Sequence, residues 1–416
     1  MDDVATQGRS RGPYGLARGL LHVEAPSASK TPALPKPMLE GRLLTRDTHV
    51  LITGATGLIG GELVRRLLSN GVGSVTCLVR PNTSADARGR LIERLRLSGN
   101  RHAESDARLK TLTGDVSAPG FGLSDTDAVS MADSVDMIIH CASELSFIRD
   151  AHCFETNVSG MHNLIGLARR CRRQPLIVHL GTVASCGVVT HQCLSESDTC
   201  DPENAHHNEY TRSKAIAEHV LRDSGEPYLI LRPSITLSAG IDARKFARAI
   251  AWFIPLLQEF EAVPIDPASR VDVVPVSFVA DAIYRLLSKP RLYHDCYNVS
   301  AGPKSALVCG PAFAFLDRFY KRAKPLKLIP PAQWTKEFHR RYLGSAERRK
   351  LFSTFRYYLP FLNMDVVYDN ARLRAELGDA FPEIAPAYTY GAQLLNLIGS
   401  EQPATRNIIQ GLKATA

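Results

Sequence analysis

The apolar positions of this chain follow one rhythm for most of its length and then lose it. Strand-like apolar runs recur at 49–53, 74–79, 109–113, 137–140, 176–180 and 228–231. Runs of this kind, bounded by glycine and polar turns, mark strands buried on both faces. Stretches with apolar residues at helical spacing, such as 58–68, separate nearly all of them. Strands alternating with helices predict βαβ units and an α/β fold with a Rossmann-type, doubly wound parallel sheet. No internal repeat is present. Beyond about residue 303 the alternation stops, and the pattern becomes aromatic-rich, basic and mainly helical. We therefore expect a leader at 1–45, a dinucleotide-binding domain at 46–302 and a smaller, mainly helical part at 303–416.

Composition narrows the class. Of 416 residues, 44% are hydrophobic and 22% charged, with a net charge of +8. Those values exclude general disorder, collagen and low complexity. The nine cysteines form no Cys-x-x-Cys pair and are interleaved with apolar runs. That usage fits a reducing compartment and lacks zinc-ligand spacing, so no metal is expected. No run reaches the roughly 20 apolar residues needed to span a bilayer; the best, 249–257, is broken by Pro255. The leader carries Pro13, Pro26, Pro32, Pro35 and Pro37, with Asp2 and Asp3 at its start. It has no signal-peptide apolar core and reads as a flexible, cytosolic leader, which places the protein in the cytoplasm.

Between the first strand and the first helix stands Thr53-Gly54-Ala55-Thr56-Gly57-Leu58-Ile59-Gly60. Gly54 permits a tight turn, Gly57 admits a pyrophosphate and Gly60 lets helix and strand pack. The N–H groups opening the helix, at Leu58 and Ile59, face phosphate oxygens. A residue at the end of the second strand then selects the cofactor. An acid there would bind a ribose 2′-hydroxyl; this chain has Arg80, with Arg88 and Arg90 opening the next helix. Guanidinium groups suit a 2′-phosphate, so NADPH is expected. Asp115 and Val116, after the third strand, stand where an adenine edge would lie.

Tyr210-Thr211-Arg212-Ser213-Lys214 begins a helix. The four-residue spacing puts Tyr210 and Lys214 on one face, where an ammonium would lower the phenol pKa. About 30 residues earlier the fifth strand runs into Gly181-Thr182-Val183-Ala184-Ser185, at the end of the sheet where ligands bind. Thr182 is the expected hydroxyl partner of a substrate oxygen, and Ser185 is its rival.

This ordered set resembles the extended short-chain dehydrogenase/reductases. Ile139-His140-Cys141-Ala142-Ser143, Asn157-Val158-Ser159-Gly160, Leu231-Arg232-Pro233-Ser234-Ile235 and Val271-Asp272-Val273-Val274-Pro275-Val276 look like the fatty acyl-CoA reductase and thioester reductase branch. The late segments 358–362 and 369–372 look like the tail of bacterial members. The resemblance spans about 49–398 and implies that the late helical part caps the substrate. It implies Thr182, Tyr210 and Lys214 as catalytic hydroxyl, acid and lysine, with Cys141, Ala142, Lys214, Pro233, Ser234 and Ile235 around the cofactor. The activity implied is NADPH-dependent reduction of a fatty or polyketide-like acyl thioester, on coenzyme A or an acyl-carrier protein, to an aldehyde, with a second hydride giving the alcohol. Two positions depart from the branch: Ser277 replaces a frequent Asp, and Gly181 replaces a frequent Ser. The rival activities are an extended-family epimerase or dehydratase, a hydroxysteroid-type dehydrogenase on a sugar nucleotide or sterol, and a non-catalytic NADP-binding regulator.

The charge is local. Segment 318–350 holds eleven Lys/Arg against Glu337 and Glu347, a net +9, so the rest of the chain sums to about −1. Phe319, Tyr320, Trp334, Phe338 and Tyr342 are interleaved. Three readings stand: a docking face for an acidic carrier protein or coenzyme A phosphates with the aromatics lining an acyl tunnel, a peripheral membrane surface, and a solvated face whose aromatics are core. No nucleic-acid-binding module accompanies the charge.

Overall fold

Seven parallel strands form one sheet in the computed structural model. It describes residues 39–40, 44–81, 86–145, 150–198, 200–238 and 253–399; most of the expected leader and residues 249–252 lie outside them. The strands are β1 (His49–Thr53), β2 (Ser74–Val79), β3 (Leu109–Thr113), β4 (Met137–His140), β5 (Leu176–Leu180), β6 (Tyr228–Pro233) and β7 (Cys296–Val299). Their order is β3-β2-β1-β4-β5-β6-β7. The chain reverses direction across the sheet between β1 and β4, which opens a crevice at the carboxyl ends of those strands.

The doubly wound arrangement follows from the strands' side-chain alternation. Val50, Ile52, Met137 and Ile139 face one helical layer, where they pack with Leu63 and Leu67 of α1 (Leu58–Ser69). Leu51, Ile138, Ile177 and Ile230 face the other, against Met161 and Leu164. With both faces covered, the strands read as apolar throughout. Six of them lie where the apolar runs put them. β7 was not expected: its buried Tyr297 and Asn298 are polar and are satisfied from far along the chain. The Tyr297 hydroxyl donates to Glu376 Oε2 at 2.6 Å, and Asn298 Nδ2 donates to Asp369 O at 2.9 Å.

A second core gathers Phe253, Leu257, Phe260 and Val271 with Trp334, Tyr342, Phe352 and Phe355. It draws on residues from both sides of position 303, and Leu373 and Leu377 return to the core of the main sheet. Trp334 is buried and stacks on Tyr342 and Phe352, with Phe338 packed beside them. Most of the Lys/Arg side chains of 318–350 point outward. Among the described residues no helix is long and apolar enough to cross a membrane.

Candidate active site

The glycine loop closes directly over the crevice. Gly54 has φ +69°, and a Cβ there would stand 2.6 Å from both Cys141 C and Ala142 N, so glycine alone lets the ends of β1 and β4 meet. A Cβ on Gly60 would press into the Gly54 carbonyl, so this glycine seats α1 against the loop. Gly57 caps α1 without a side chain, and no acid stands in the first turn, which leaves the opening N–H groups for an anion.

The loop is braced from below by a residue that sequence reasoning missed. Arg94, fully buried on α2 (Ala87–Leu97), donates through Nε to Gly57 O at 3.0 Å and through Nη2 to Leu58 O at 2.9 Å. Its signal in the sequence is faint: an arginine beside Leu91, Ile92 and Leu95 on the buried face of an otherwise charged helix.

A cleft of about 420 Å³ runs from this loop across the sheet. Thr56, Gly57, Leu58 and Ile59 line one end, together with Arg80, Arg90 and Val116. Arg90 donates to the Arg80 carbonyl, and its buried Nε has no partner. Arg88 turns away to Glu104 O. The sole acid among the described lining residues is Asp272, whose carboxylate accepts from Ala301 N and Gly302 N at 2.8 and 3.2 Å. Asp115 lies outside the lining; its Oδ1 accepts from Ser117 N and Ser117 Oγ. Cys141 and Ala142 line the middle, and Pro233, Ser234 and Ile235 the far wall. A tight glycine cradle, an uncapped helix start and an unpartnered guanidinium nitrogen fit a nicotinamide dinucleotide.

Thr182, Tyr210 and Lys214 meet in the same cleft. Thr182 caps the short 3₁₀ turn Val183–Cys186, accepting from Ala184 N at 3.3 Å. Tyr210 and Lys214 lie one turn apart at the start of α3 (Glu209–Arg222), whose cap Asn208 accepts from Thr211 N at 3.0 Å. Asn157 Nδ2 donates to Ser213 Oγ at 2.9 Å, and Ser213 Oγ donates to Tyr210 O, fixing that turn.

Thr182 stands beside Tyr210 in the cleft. Burial pushes the Tyr210 phenol up to about 12, only partly offset by the lowering influence of Thr182. The expected lowering by Lys214 is absent for a geometric reason. The ammonium donates to Leu180 O and lies 3.5 Å from His179 Nε2. Burial lowers Lys214 to about 8, against the upward pull of Glu218. His179 stacks on His140 with centroids 5.6 Å apart, and His140 Nδ1 meets Thr53 Oγ1 at 2.8 Å. Burial holds both imidazoles neutral, His140 at about 3 and His179 well below its ordinary value. His179 also went unremarked in the sequence, although a histidine inside Leu-Ile-Val-His-Leu is conspicuous there.

Ser185, the rival hydroxyl, is fully buried and does not line the cleft. It donates to Thr182 O at 2.6 Å and lies 3.3 Å from Glu218 Oε1. Glu218 in turn accepts from Arg232 through two nitrogens, Nη2 at 2.7 Å, with both side chains 2% exposed. This buried pair explains Gly181: a Cβ there would collide with Glu218 Oε1. Ser277, the other departure, is exposed in the first turn of the helix Val276–Leu287 and does not line the cleft.

A Rossmann-type sheet carrying these groups at its carboxyl edge has the layout of the extended short-chain dehydrogenase/reductases, and this chain is of that nicotinamide-dinucleotide-binding class. More narrowly, residues 52–283 match the model of the NAD-binding family described as male sterility protein, and the chain belongs to that family. It is 27% identical over 300 residues to the nonribosomal peptide synthetase asaC of Aspergillus flavus, covering 66% of this chain and 28% of that protein. It is 25% identical over 229 residues to the fatty acyl-CoA reductase wat of Drosophila melanogaster, covering 47% of this chain and 44% of that one. The chain thus spans less than half the length of either relative. Among solved structures, the terminal R domain of the myxalamid PKS-NRPS pathway superposes with a TM-score of 0.70 at 21% identity, over 89% of this chain and 96% of that one. The reductase domain of a nonribosomal peptide synthetase from Mycobacterium tuberculosis gives 0.65 at 23%, over 88% and 94%. At these identities the structural likeness speaks for the fold. The fold and family expected from the motifs are the ones found.

Proposed function

We propose that this protein reduces an acyl thioester, carried on coenzyme A or an acyl-carrier protein, with NADPH. The observation that carries the reading is the meeting of Thr182, Tyr210 and Lys214 inside a cleft that begins at the glycine loop. The names of the relatives, reductase domains of peptide and polyketide synthetases and a fatty acyl-CoA reductase, support the thioester. Arg80 and Arg90 beside the glycine loop support the phosphorylated cofactor. Bound along that loop, NADPH supplies a hydride to the thioester carbonyl carbon.

The chain's own groups manage the oxygen. The Thr182 and Tyr210 hydroxyls hold the carbonyl oxygen, and Tyr210 gives it a proton as negative charge develops. Its phenol stays protonated across the neutral range because burial raises its pKa. Lys214, one helical turn on, adds positive potential to the cleft and holds the cofactor ribose. Departure of the thiol leaves the aldehyde, and a second round gives the alcohol. The outward Lys/Arg of 318–350 serve as the docking face for the acidic carrier.

The test follows NADPH oxidation with acyl-CoA, acyl-carrier protein and free aldehyde, with products identified by mass spectrometry. Tyr210→Phe is expected to lower turnover by about 100-fold or more while leaving NADPH affinity nearly unchanged. Near-normal turnover in that variant overturns the assignment.

A further inference from the structure

We propose that His179 is a positioning residue for the lysine of the site: its Nε2 accepts from the Lys214 ammonium and holds that charge at the floor of the cleft. This rests on the role in reduction given to Lys214 above.

Three neighbouring strands place polar side chains in one row. Thr53 ends β1, His140 ends β4 and His179 stands one residue before the end of β5. In register Thr53 is opposite His140, and His140 is opposite His179. All three are at most 1% exposed. Two residues earlier on each strand the same face carries Leu51, Ile138 and Ile177. Packing alone would favour apolar side chains in this row too, because His140 Nε2 and His179 Nδ1 are buried without a partner among the described residues. Packing therefore does not account for the two imidazoles.

The lysine accounts for them. An ammonium only donates, so His179 Nε2, 3.5 Å from Lys214 Nζ, is the acceptor and the ring proton sits on Nδ1. His179 can accept because it is neutral: burial, with Lys214, His140 and Arg232 nearby, holds it well below its ordinary value. A second proton of the ammonium goes to Leu180 O, the next residue of the same strand. The strand thus fixes the ammonium from one side and leaves its third proton for the cleft that Lys214 lines. The ring itself is held in place. It stacks on His140 with centroids 5.6 Å apart, and His140 Nδ1 is tied at 2.8 Å to Thr53 Oγ1. Thr53 Oγ1 also accepts from Ala142 N at 3.2 Å, and Thr53 precedes Gly54, so the row runs from the glycine loop to the lysine.

The other groups around the ammonium do not take this part. Glu218, one turn further along α3, pulls the lysine up, but its carboxylate is bound by Arg232 of β6. Burial keeps Cys141 and His140 neutral and the Tyr210 phenol protonated. Among the described residues, His179 is the one side chain that accepts from the ammonium.

The test titrates Lys214 directly, by NMR of the full chain carrying isotope-labelled lysine, with the signal assigned by its loss in Lys214→Met. His179→Leu removes the acceptor and keeps the row filled; His179→Gln puts an amide oxygen near where Nε2 stood. The Lys214 midpoint is expected to fall by about one pH unit or more in His179→Leu and to return close to wild type in His179→Gln. A fall of about one unit raises the ratio of turnover at pH 6 to turnover at pH 8 about fivefold. A folding defect lowers both rates alike and leaves that ratio unmoved. An unchanged Lys214 midpoint in His179→Leu overturns the pairing. A displaced midpoint beside an undisplaced turnover profile overturns the part of Lys214 in reduction and, with it, the positioning role. Absence of thioester turnover in the wild type overturns the reductase reading, and the midpoint still decides the pairing.

Discussion

Arg94 Nε donates to the Gly57 carbonyl at 3.0 Å, so the side chain of one helix sets the shape of the loop that opens another. The same guanidinium reaches Leu58 O and Ser98 Oγ. Removing it takes away charge-assisted hydrogen bonds worth about 1.5–3 kcal/mol each at most. Arg94→Met keeps the apolar stem and should lower the unfolding temperature and weaken NADPH binding about tenfold or more. Thermal unfolding and fluorescence titration check both. A variant that melts early yet binds NADPH normally would limit Arg94 to a structural role.

Lys214 is expected to set an alkaline limit on turnover. Burial brings its ammonium down to about 8, while the Tyr210 phenol is pushed up to about 12. The charged lysine is thus lost as pH rises through about 8, long before the phenol ionises. The rate of reduction at saturating NADPH is expected to be flat on the acid side of that pH and to fall roughly tenfold per unit above it. Lys214→Arg keeps its charge and should move the fall beyond the accessible range, though at a lower plateau. A wild-type profile that stays level to pH 10 would contradict the assignment.

Gly181 is fixed by the ion pair beneath it. A methyl group there meets Glu218, which cannot retreat without loosening Arg232. Gly181→Ala is expected to cost about 1–3 kcal/mol of stability and to displace Thr182, lowering turnover while NADPH still binds. Glu218→Gln leaves the Arg232 charge buried without its counter-ion and should cost about 3–5 kcal/mol. Urea unfolding followed by fluorescence measures both.

The strands were legible because each is buried on both faces, so its apolar run is nearly unbroken. The glycine loop and the Tyr210/Lys214 spacing were legible because their function requires fixed local intervals. What escaped was held by distant partners. β7 needs Glu376 and Asp369, Arg94 needs a loop 36 and 37 residues away, and the Lys214–His179 contact joins helix to strand across 35 residues. The lowered phenol expected from spacing alone failed because spacing places Lys214 on the right face without saying where its ammonium points. The aromatics of 318–350 were ambiguous for the same reason, since core and tunnel share one composition.

The basic face predicts how substrate arrives. Lys336 and Arg340 are exposed on the helix Lys336–Tyr342 and, four residues apart, share one side of it. If that side receives an acidic carrier protein, attraction should speed encounter and weaken with salt. Replacing both by Glu is expected to raise KM for a carrier-bound thioester about tenfold or more and to flatten its salt dependence. The kcat for that substrate should hold, and a small thioester without carrier should be unaffected in both constants. Steady-state kinetics across a range of sodium chloride concentrations provide the measurement. An unchanged KM for the carrier-bound substrate would return these charges to simple solvation of a helix whose aromatic side is core.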